Sequence, residues 1–347
     1  MLEAKLVKPE KSFKTQSSVP LKVILTNTSD QDLSVLTWNT PLDDVVTDCL
    51  DVTVNGKKVE YDGPIIKRGA PTAKDYVLIK AGQSVETKFP VSDAYDTSKA
   101  GTYQVKLKTA IPDVRPKQRR LAAALKAHDF SPIQLPVEDK TTFRIEKGEG
   151  RRLTLGAAAR SKEQTKKVSA KGIAAARKKK SKLGTLLTPL TAGGSATRKS
   201  KAKKAHADGY DLCVKALAGL AKNARYVEWF GAHTTVRFNK VKLNYTAVKT
   251  RMETIQFTYN LTGSGCGSGV FAYTYKGTST IWFCDQFWVA SATGTDSKAG
   301  TVLHEHTHSD ASTDDNVYGQ AGCRAMAINQ PNKAVENADS HEYYGGG

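Results

Sequence analysis

The sequence from Gly300 to His308 reads Gly-Thr-Val-Leu-His-Glu-His-Thr-His. His304 and His308 are four positions apart, so on a helix both imidazoles project from one face and can reach one metal ion. Glu305, the residue after the first of them, can face a water on that metal. Zinc in such a site lowers the pKa of its water toward neutrality, and a nearby carboxylate takes the proton, which prepares attack on a peptide carbonyl. Glu305 would then hand the proton to the leaving amine. His306 lies two residues from either imidazole and is expected to face outward, or at most to support the ligands from behind. A His-rich tract of this kind also binds metal in proteins without catalysis.

A catalytic zinc takes a third protein ligand and keeps one position open. Directly downstream, Ser312-Thr313-Asp314-Asp315-Asn316-Val317-Tyr318-Gly319-Gln320 offers two carboxylates and a tyrosine in a turn-like stretch. Either Asp314 or Asp315 would complete a two-histidine, one-carboxylate set. A tyrosine hydroxyl at Tyr318 could hydrogen-bond an oxyanion as it develops.

These residues need a frame. Within 206–347, helical spacing is expected over Asp211–Tyr226, where Leu212, Lys215, Ala216, Gly219 and Leu220 share a face. Val270–Tyr275 and Thr280–Cys284 read as two strands joined by a Lys-Gly-Thr-Ser turn. The histidine motif reads as a helix, and Tyr318–Gln330 as another that Pro331 stops. Upstream, Leu21–Asn27, Leu50–Gly56, Tyr76–Ile79 and Tyr103–Leu107 read as short strands with Asn-Gly, Asp-Gly and Ala-Gly turns, the pattern of a β-sandwich. That region gathers no catalytic residues and reads as a module that binds or covers something. Ile133–Arg144 adds a strand or two to it.

The formal charge is +18, and all of the excess falls in residues 116–205, with 24 Lys and Arg against 6 Asp and Glu. Neither flanking region carries the basic surface of a nucleic-acid-binding domain. The dense runs Arg177–Lys180 and Arg198–Lys204 leave three readings open: a solvated linker that proteases cut, an arm for a polyanion, or basic helices packed on a neighbour. No apolar run is long enough to span a membrane. No secretory signal precedes Glu3; a secreted protein needs one, so its prior removal, with Met1 an added start, is the expectation. Of five cysteines, Cys49 is alone in the N-terminal part, while Cys213, Cys266, Cys284 and Cys323 lie in the C-terminal part, an even number that suits disulfides in an oxidising compartment.

The His-Glu-x-x-His element followed by Ser-Thr-x-Asp-x-x-Tyr-Gly resembles the aspzincins, the deuterolysin family of zinc metallopeptidases. Phe271–Tyr273, Phe283–Trp288, Thr293–Gly300 and Asn337–Tyr343 extend the resemblance toward its peptidyl-Lys metalloendopeptidase branch, so that about 210–344 is covered. The resemblance implies one zinc per chain on His304, His308 and Asp315, with Asp314 as the competing ligand. It implies Glu305 as base and Tyr318 as the group that stabilises the transition state. It also implies an acidic S1′ pocket from Asp339 and Glu342, and the physics agrees, because two carboxylates at i, i+3 share a helix face and favour a lysine ammonium. A Cys266–Cys284 disulfide is implied too; the family's other bridge finds no evident second partner, Cys323 is additional, and its pairing with Cys213 is the expectation. The sequence departs from the family pattern at Ser312, where glycine is usual, and in a short gap between His308 and Thr313.

The resulting expectation is an α+β chain. A β-sandwich propeptide domain would span 1–145, a basic linker with maturation sites 146–205, and a zincin-type catalytic domain 206–347. It would be a secreted, monomeric proenzyme acting on protein and peptide substrates, inhibited by its own prodomain, with no nucleic acid or membrane partner. A lysine of the linker, from 178–180 or 199–204, would rest in the acidic pocket before cleavage. The competing readings are a non-catalytic zinc-containing binding protein and a polyanion-binding protein that uses the basic segment.

Overall fold

The computed structural model describes residues 2–9, 12–108, 110–116, 133–135, 140–168, 184–263 and 265–346. It is of mixed α+β type and divides into two compact units. One comprises Met1–Pro64 with Ala70–Ala158, the other Ile65–Gly69 with Ala159–Gly347.

The first unit is built from short strands. Strands β1 (Leu2–Val7), β2 (Phe13–Lys14), β3 (Pro20–Asn27), β4 (Leu33–Leu36), β5 (Leu50–Val54) and β6 (Lys57–Val59) precede β7 (Ile65–Arg68), which belongs to the other unit. Strands β8 (Tyr76–Ile79), β9 (Ser84–Pro90), β10 (Gly101–Leu107), β11 (Ala110–Ile111), β12 (Val114–Pro116), β13 (Ile133–Gln134) and β14 (Lys140–Glu146) follow. They form sheets ordered β1-β3-β9, β2-β14-β10-β5-β6 and β12-β4-β8, with β11 and β13 as a separate pair. Alternation drives this: Leu21, Val23 and Leu25 of β3 turn inward, as do Val52 and Val54 of β5 and Tyr103, Val105 and Leu107 of β10. Between β5 and β6 the turn residues Asn55 and Gly56 both have positive φ, 48° and 77°, which suits the tight twisted hairpin the Asn-Gly pair announces. Cys49 is a buried thiol in this core.

The second unit has a five-stranded sheet ordered β15-β16-β18-β17-β7, with β15 at Leu190–Ala192, β16 at Thr258–Asn260, β17 at Val270–Thr274 and β18 at Thr280–Phe283. Pairing is parallel for β15–β16 and β16–β18, and antiparallel for β17–β18 and β17–β7. The helices are α1 (Leu155–Val168, which begins in the first unit), α2 (Ala196–Ala218), α3 (Ala224–Phe230), α4 (Thr235–Thr254), α5 (Asp285–Val289), α6 (Lys298–Ala311), α7 (Gln320–Asn329) and α8 (Ala338–Gly345). Their core gathers Val241, Tyr245, Val248 and Met252 of α4 with Val302 and Leu303 of α6. No helix among the described residues is long and apolar enough to cross a membrane.

The basic segment differs from the expected linker. Lys178–Lys180 lies outside the described residues, but Arg198–Lys204 forms the first turns of α2. Its register explains this: Ala202, Ala205, His206, Gly209, Cys213 and Ala216 make one buried face, while Lys199, Lys201, Lys203 and Lys204 stay exposed. Ser195 caps the helix by accepting the Arg198 N–H. For this run, basic helices on a neighbour is the reading that describes the chain. Like charges hid the helix because they occupy only its solvent face. The helix expected over Asp211–Tyr226 is two helices, α2 and α3, separated after the Gly219 cap. Pro331 opens a further one-turn helix at its N1 position after α7.

Candidate metal centre

Helix α6 forms the floor of the site. Ser297 caps it by accepting the Gly300 N–H, and every residue from Lys298 to Ser309 is buried. Gly300 is closely packed: a Cβ there would press on the Glu342 carboxylate on α8. The helix ends on Ser312 with φ 59° and ψ 33°, a left-handed cap, which accounts for glycine being usual at this position in the resembling family. The chain then turns back, and Thr313 is anchored through its hydroxyl to Thr307 at 2.7 Å.

The turn delivers Asp315 to the two histidines. His304 Nε2 and His308 Nε2 are 3.0 Å apart, and Asp315 Oδ1 lies 3.1 Å from the first and 3.3 Å from the second. Donor atoms bonded to one tetrahedral zinc at about 2.0–2.1 Å would stand roughly 3.3 Å from one another. The three donors therefore fit such an ion without rearrangement, and the two-nitrogen, one-oxygen set suits it chemically. His308 is fixed from behind, its Nδ1 2.9 Å from the Thr313 carbonyl, which leaves Nε2 free to bind metal. His304 Nδ1 lies 2.9 Å from Asp339 Oδ1, though poorly aligned for a hydrogen bond. Burial opposes ionisation of Asp315, yet the neighbouring His308 and His304 hold its carboxyl far below the usual range. Glu305 is fully buried, and no side chain hydrogen-bonds its carboxylate among the described residues; its polar neighbour is the main-chain N–H of Lys67. Burial pushes its carboxyl up to about 8.

Asp314 points elsewhere, to Lys276 Nζ at 2.5 Å, so the two adjacent carboxylates are told apart by the turn. Asn337 makes the turn rigid: its Oδ1 accepts the N–H groups of Asn316 and Val317 at 2.9 and 3.1 Å. Nothing in the spacing had singled out this side chain.

Asp339 and Glu342 sit side by side on α8, fully buried against His304. A lysine does lie between them, but it is Lys67 of β7 rather than a residue of the basic runs. Its Nζ is 2.7 Å from Glu342 Oε2, 3.3 Å from Asp339 Oδ1 and 3.1 Å from Asp296 Oδ1. Lys67 is wholly buried, which favours loss of its proton, but the three carboxylates win and hold its pKa well above the ordinary value. Burial likewise opposes the charge on Asp339, and the Lys67 ammonium brings its carboxyl down to about 2. Burial raises that of Glu342. Asp296, also bonded by the Tyr343 hydroxyl at 3.1 Å, lies within the Thr293–Gly300 stretch and was not foreseen as a pocket residue. The Tyr318 hydroxyl donates to the Ile66 carbonyl at 2.9 Å.

Two expectations are corrected. His306 is not outward-facing: it is fully buried, with Nε2 2.9 Å from the Tyr259 hydroxyl and Nδ1 2.8 Å from Asp310 Oδ2, because α6 is covered on the face away from the metal donors as well. Cys213 and Cys323 are not paired. The Cys213 thiol donates to the Tyr245 carbonyl and Cys323 Sγ accepts from Asn337 Nδ2, so each buried sulfur has its own partner. Cys266 and Cys284 form a disulfide.

Residues 216–346 match the family described as lysine-specific metallo-endopeptidase, the aspzincins. An extracellular protease of Aeromonas hydrophila is 32% identical over 347 residues, covering 99% of this chain and 91% of that protein. A peptidyl-Lys metalloendopeptidase of Grifola frondosa is 30% identical over 347 residues, covering 93% of this chain and 87% of its own length. Among solved structures, a zinc peptidase from Grifola frondosa is 34% identical with a TM-score of 0.41, covering 44% of this chain and 96% of the other.

Proposed function

Because the chain belongs to the aspzincin family of metallo-endopeptidases, we propose that it hydrolyses peptide bonds at a zinc held by His304, His308 and Asp315, with lysine preferred just after the scissile bond. The observation that carries this reading is the cluster of three donor atoms, 3.0–3.3 Å apart, beside the buried Glu305 carboxylate on the helix that carries both histidines.

Bound zinc would polarise the substrate carbonyl and acidify a water. Glu305 would take the proton from that water onto a carboxylate oxygen and release it to the departing amine nitrogen. Burial alone favours the neutral acid, and the charge of a bound zinc would favour the carboxylate that accepts the proton. The Tyr318 hydroxyl would donate to the carbonyl oxygen as negative charge builds there, an electrostatic contribution worth about 3 kcal/mol in comparable sites. Asp339 and Glu342, with Asp296, would hold the ammonium of the substrate lysine. Asn337 would keep the Asp315 turn in place.

The remaining reading is of a secreted proenzyme. Its N-terminal part, read as a β-sandwich, would act as the propeptide, and the basic stretch between 146 and 205 would carry lysines at which the enzyme cuts itself free. The Cys266–Cys284 disulfide supports an oxidising destination. The test is to incubate the processed, zinc-loaded protein with denatured casein and sequence the new N-termini, with Glu305→Ala as control. New N-termini beginning with lysine, lost in the control and with chelator, are expected. Cleavage without lysine preference removes the role given to Asp339 and Glu342, and no cleavage at all overturns the reading.

A further inference from the structure

Lys67 enters the acidic pocket as part of an extended strand with a definite register. Strand β7 runs antiparallel to β17, pairing Ile65 with Thr274, Ile66 with Tyr273, Lys67 with Ala272 and, after a bulge, Arg68 with Val270. Gly69 continues the ladder, its N–H donating to the Gly269 carbonyl at 3.1 Å. A Cβ on Gly69 would come within 2.9 Å of the Phe271 ring, so the strand lies tight against β17.

The backbone of Ile66 is held at the metal centre itself. Its N–H donates to Asp315 Oδ2 at 3.2 Å, and its carbonyl oxygen accepts from Tyr318. The Ile66–Lys67 peptide bond thus has its carbonyl on the residue assigned to the oxyanion and its lysine side chain in the pocket assigned to the residue after the cut. A buried ammonium costs several kcal/mol unless it is paired, and the pocket pairs it with three carboxylates. Strand addition supplies affinity through main-chain hydrogen bonds, and a pocket for one side chain supplies specificity, which is how extended peptides are recognised at a sheet edge.

We propose that Ile65–Gly69 is a built-in substrate analogue that lies along β17 in the register of a peptide substrate, with Lys67 as its anchor, and thereby keeps the uncut chain latent. This inference rests on the peptidase reading. It assigns β17 as the strand on which substrates are laid, and it puts the latency in this short segment instead of the basic runs. A substrate must displace Lys67 before its own lysine can enter.

The test uses the full chain, zinc-loaded and verified intact on a gel at each time point, with a quenched peptide carrying one internal lysine. The self-processed wild-type protein gives the reference rate. Truncating Lys67 removes one partner of its buried charge pairs, so intact Lys67→Met and Lys67→Ala chains should cut at least roughly thirtyfold faster than the intact wild type. The methionine variant keeps the stem's length and packing, and near-ultraviolet circular dichroism checks that both variants are folded. In a Glu305→Gln background, where self-cutting cannot blur the comparison, the labelled peptide should bind the Lys67→Met chain at least about tenfold more tightly. If folded Lys67→Met and Lys67→Ala chains stay as latent as the wild type while the processed protein cuts, the inference is wrong. An intact wild-type chain as active as the processed one also overturns it. A processed protein that cuts nothing removes the peptidase reading, and the inference with it.

Discussion

Replacing Glu342 by Gln should convert the acidic pocket into a poor receptor for lysine while leaving the metal donors in place. The lysine that occupies the pocket shows the stakes: its Nζ is 2.7 Å from Glu342 Oε2, and both groups are fully buried. At an effective dielectric constant of about 20, unit charges at that distance attract with roughly 6 kcal/mol. Two features reduce the loss. The Gln amide oxygen still accepts a hydrogen bond, and Asp339, 3.3 Å from the same ammonium, keeps its charge. A net loss of about 3 kcal/mol follows, or roughly a hundredfold in kcat/KM. Asp339 is a less clean target, because its Oδ2 also accepts the Gly319 N–H and its Oδ1 lies against His304. The assay compares kcat/KM for two peptides that differ only in having lysine or methionine after the scissile bond. The lysine peptide should lose about a hundredfold and the methionine peptide little. An unchanged ratio between the two would refute the assignment. An equal fall in both would mean that Glu342 acts through His304, whose Nδ1 is 3.4 Å from its carboxylate.

Asn337→Ala strips two backbone N–H groups of the Asp315 turn of their acceptor, so a stability loss of about 2–4 kcal/mol is expected, with weaker zinc retention in a chelator competition. Unchanged zinc retention would show that the turn holds Asp315 without this side chain. Acid should destabilise the fold through buried neutral imidazoles. Burial lowers His206 from 6.5 to about 3, with the adjacent His306 adding to the effect, and lowers His341 to about 4. The unfolded chain takes up these protons near pH 6.5 and the folded chain only near pH 3–4. Stability is therefore level above neutrality and falls on acidification below about 6.5, by roughly 3 kcal/mol for His341 by pH 4. Urea midpoints at pH 7 and 4.5 measure this. His206→Gln should flatten the pH dependence, and an equally steep dependence in that variant would refute the contribution assigned to His206.

The sequence was most informative where function and periodicity coincide. His304 and His308 can be read as a pair because helical geometry leaves them one arrangement, and the β17–β18 hairpin follows from its alternation and turn. Asp315 could be preferred to Asp314 only by family resemblance, since their separation depends on a left-handed residue at Ser312 and on the side-chain Oδ1 of Asn337, neither visible as a pattern. His306 was misjudged because its two-residue offset from each imidazole says which face it takes but not whether another element covers that face. Helix α2 was obscured because its charge density belongs to one side only. Lys67 carried no signal at all. It lies more than 200 positions from the histidines in a strand like its neighbours, and only the pairing of β7 with β17 brings it to the site.

Helix α6 has two duties that are separate in many enzymes. It carries His304, Glu305 and His308, and it is buried from Lys298 to Ser309, with Val302 and Leu303 in the central core of its unit. A substitution on this helix is therefore tested twice, once for chemistry and once for folding, and the small stability margin of a natural protein leaves little room to pass both. Diversity among chains of this architecture should be drawn from what leans on the helix. Asp296 at its entrance, the Asn337–Glu342 stretch behind it and the strand along β17 can each change what is recognised without moving the imidazoles. Selection for a new substrate would be expected to reshape those margins long before it altered the helix itself.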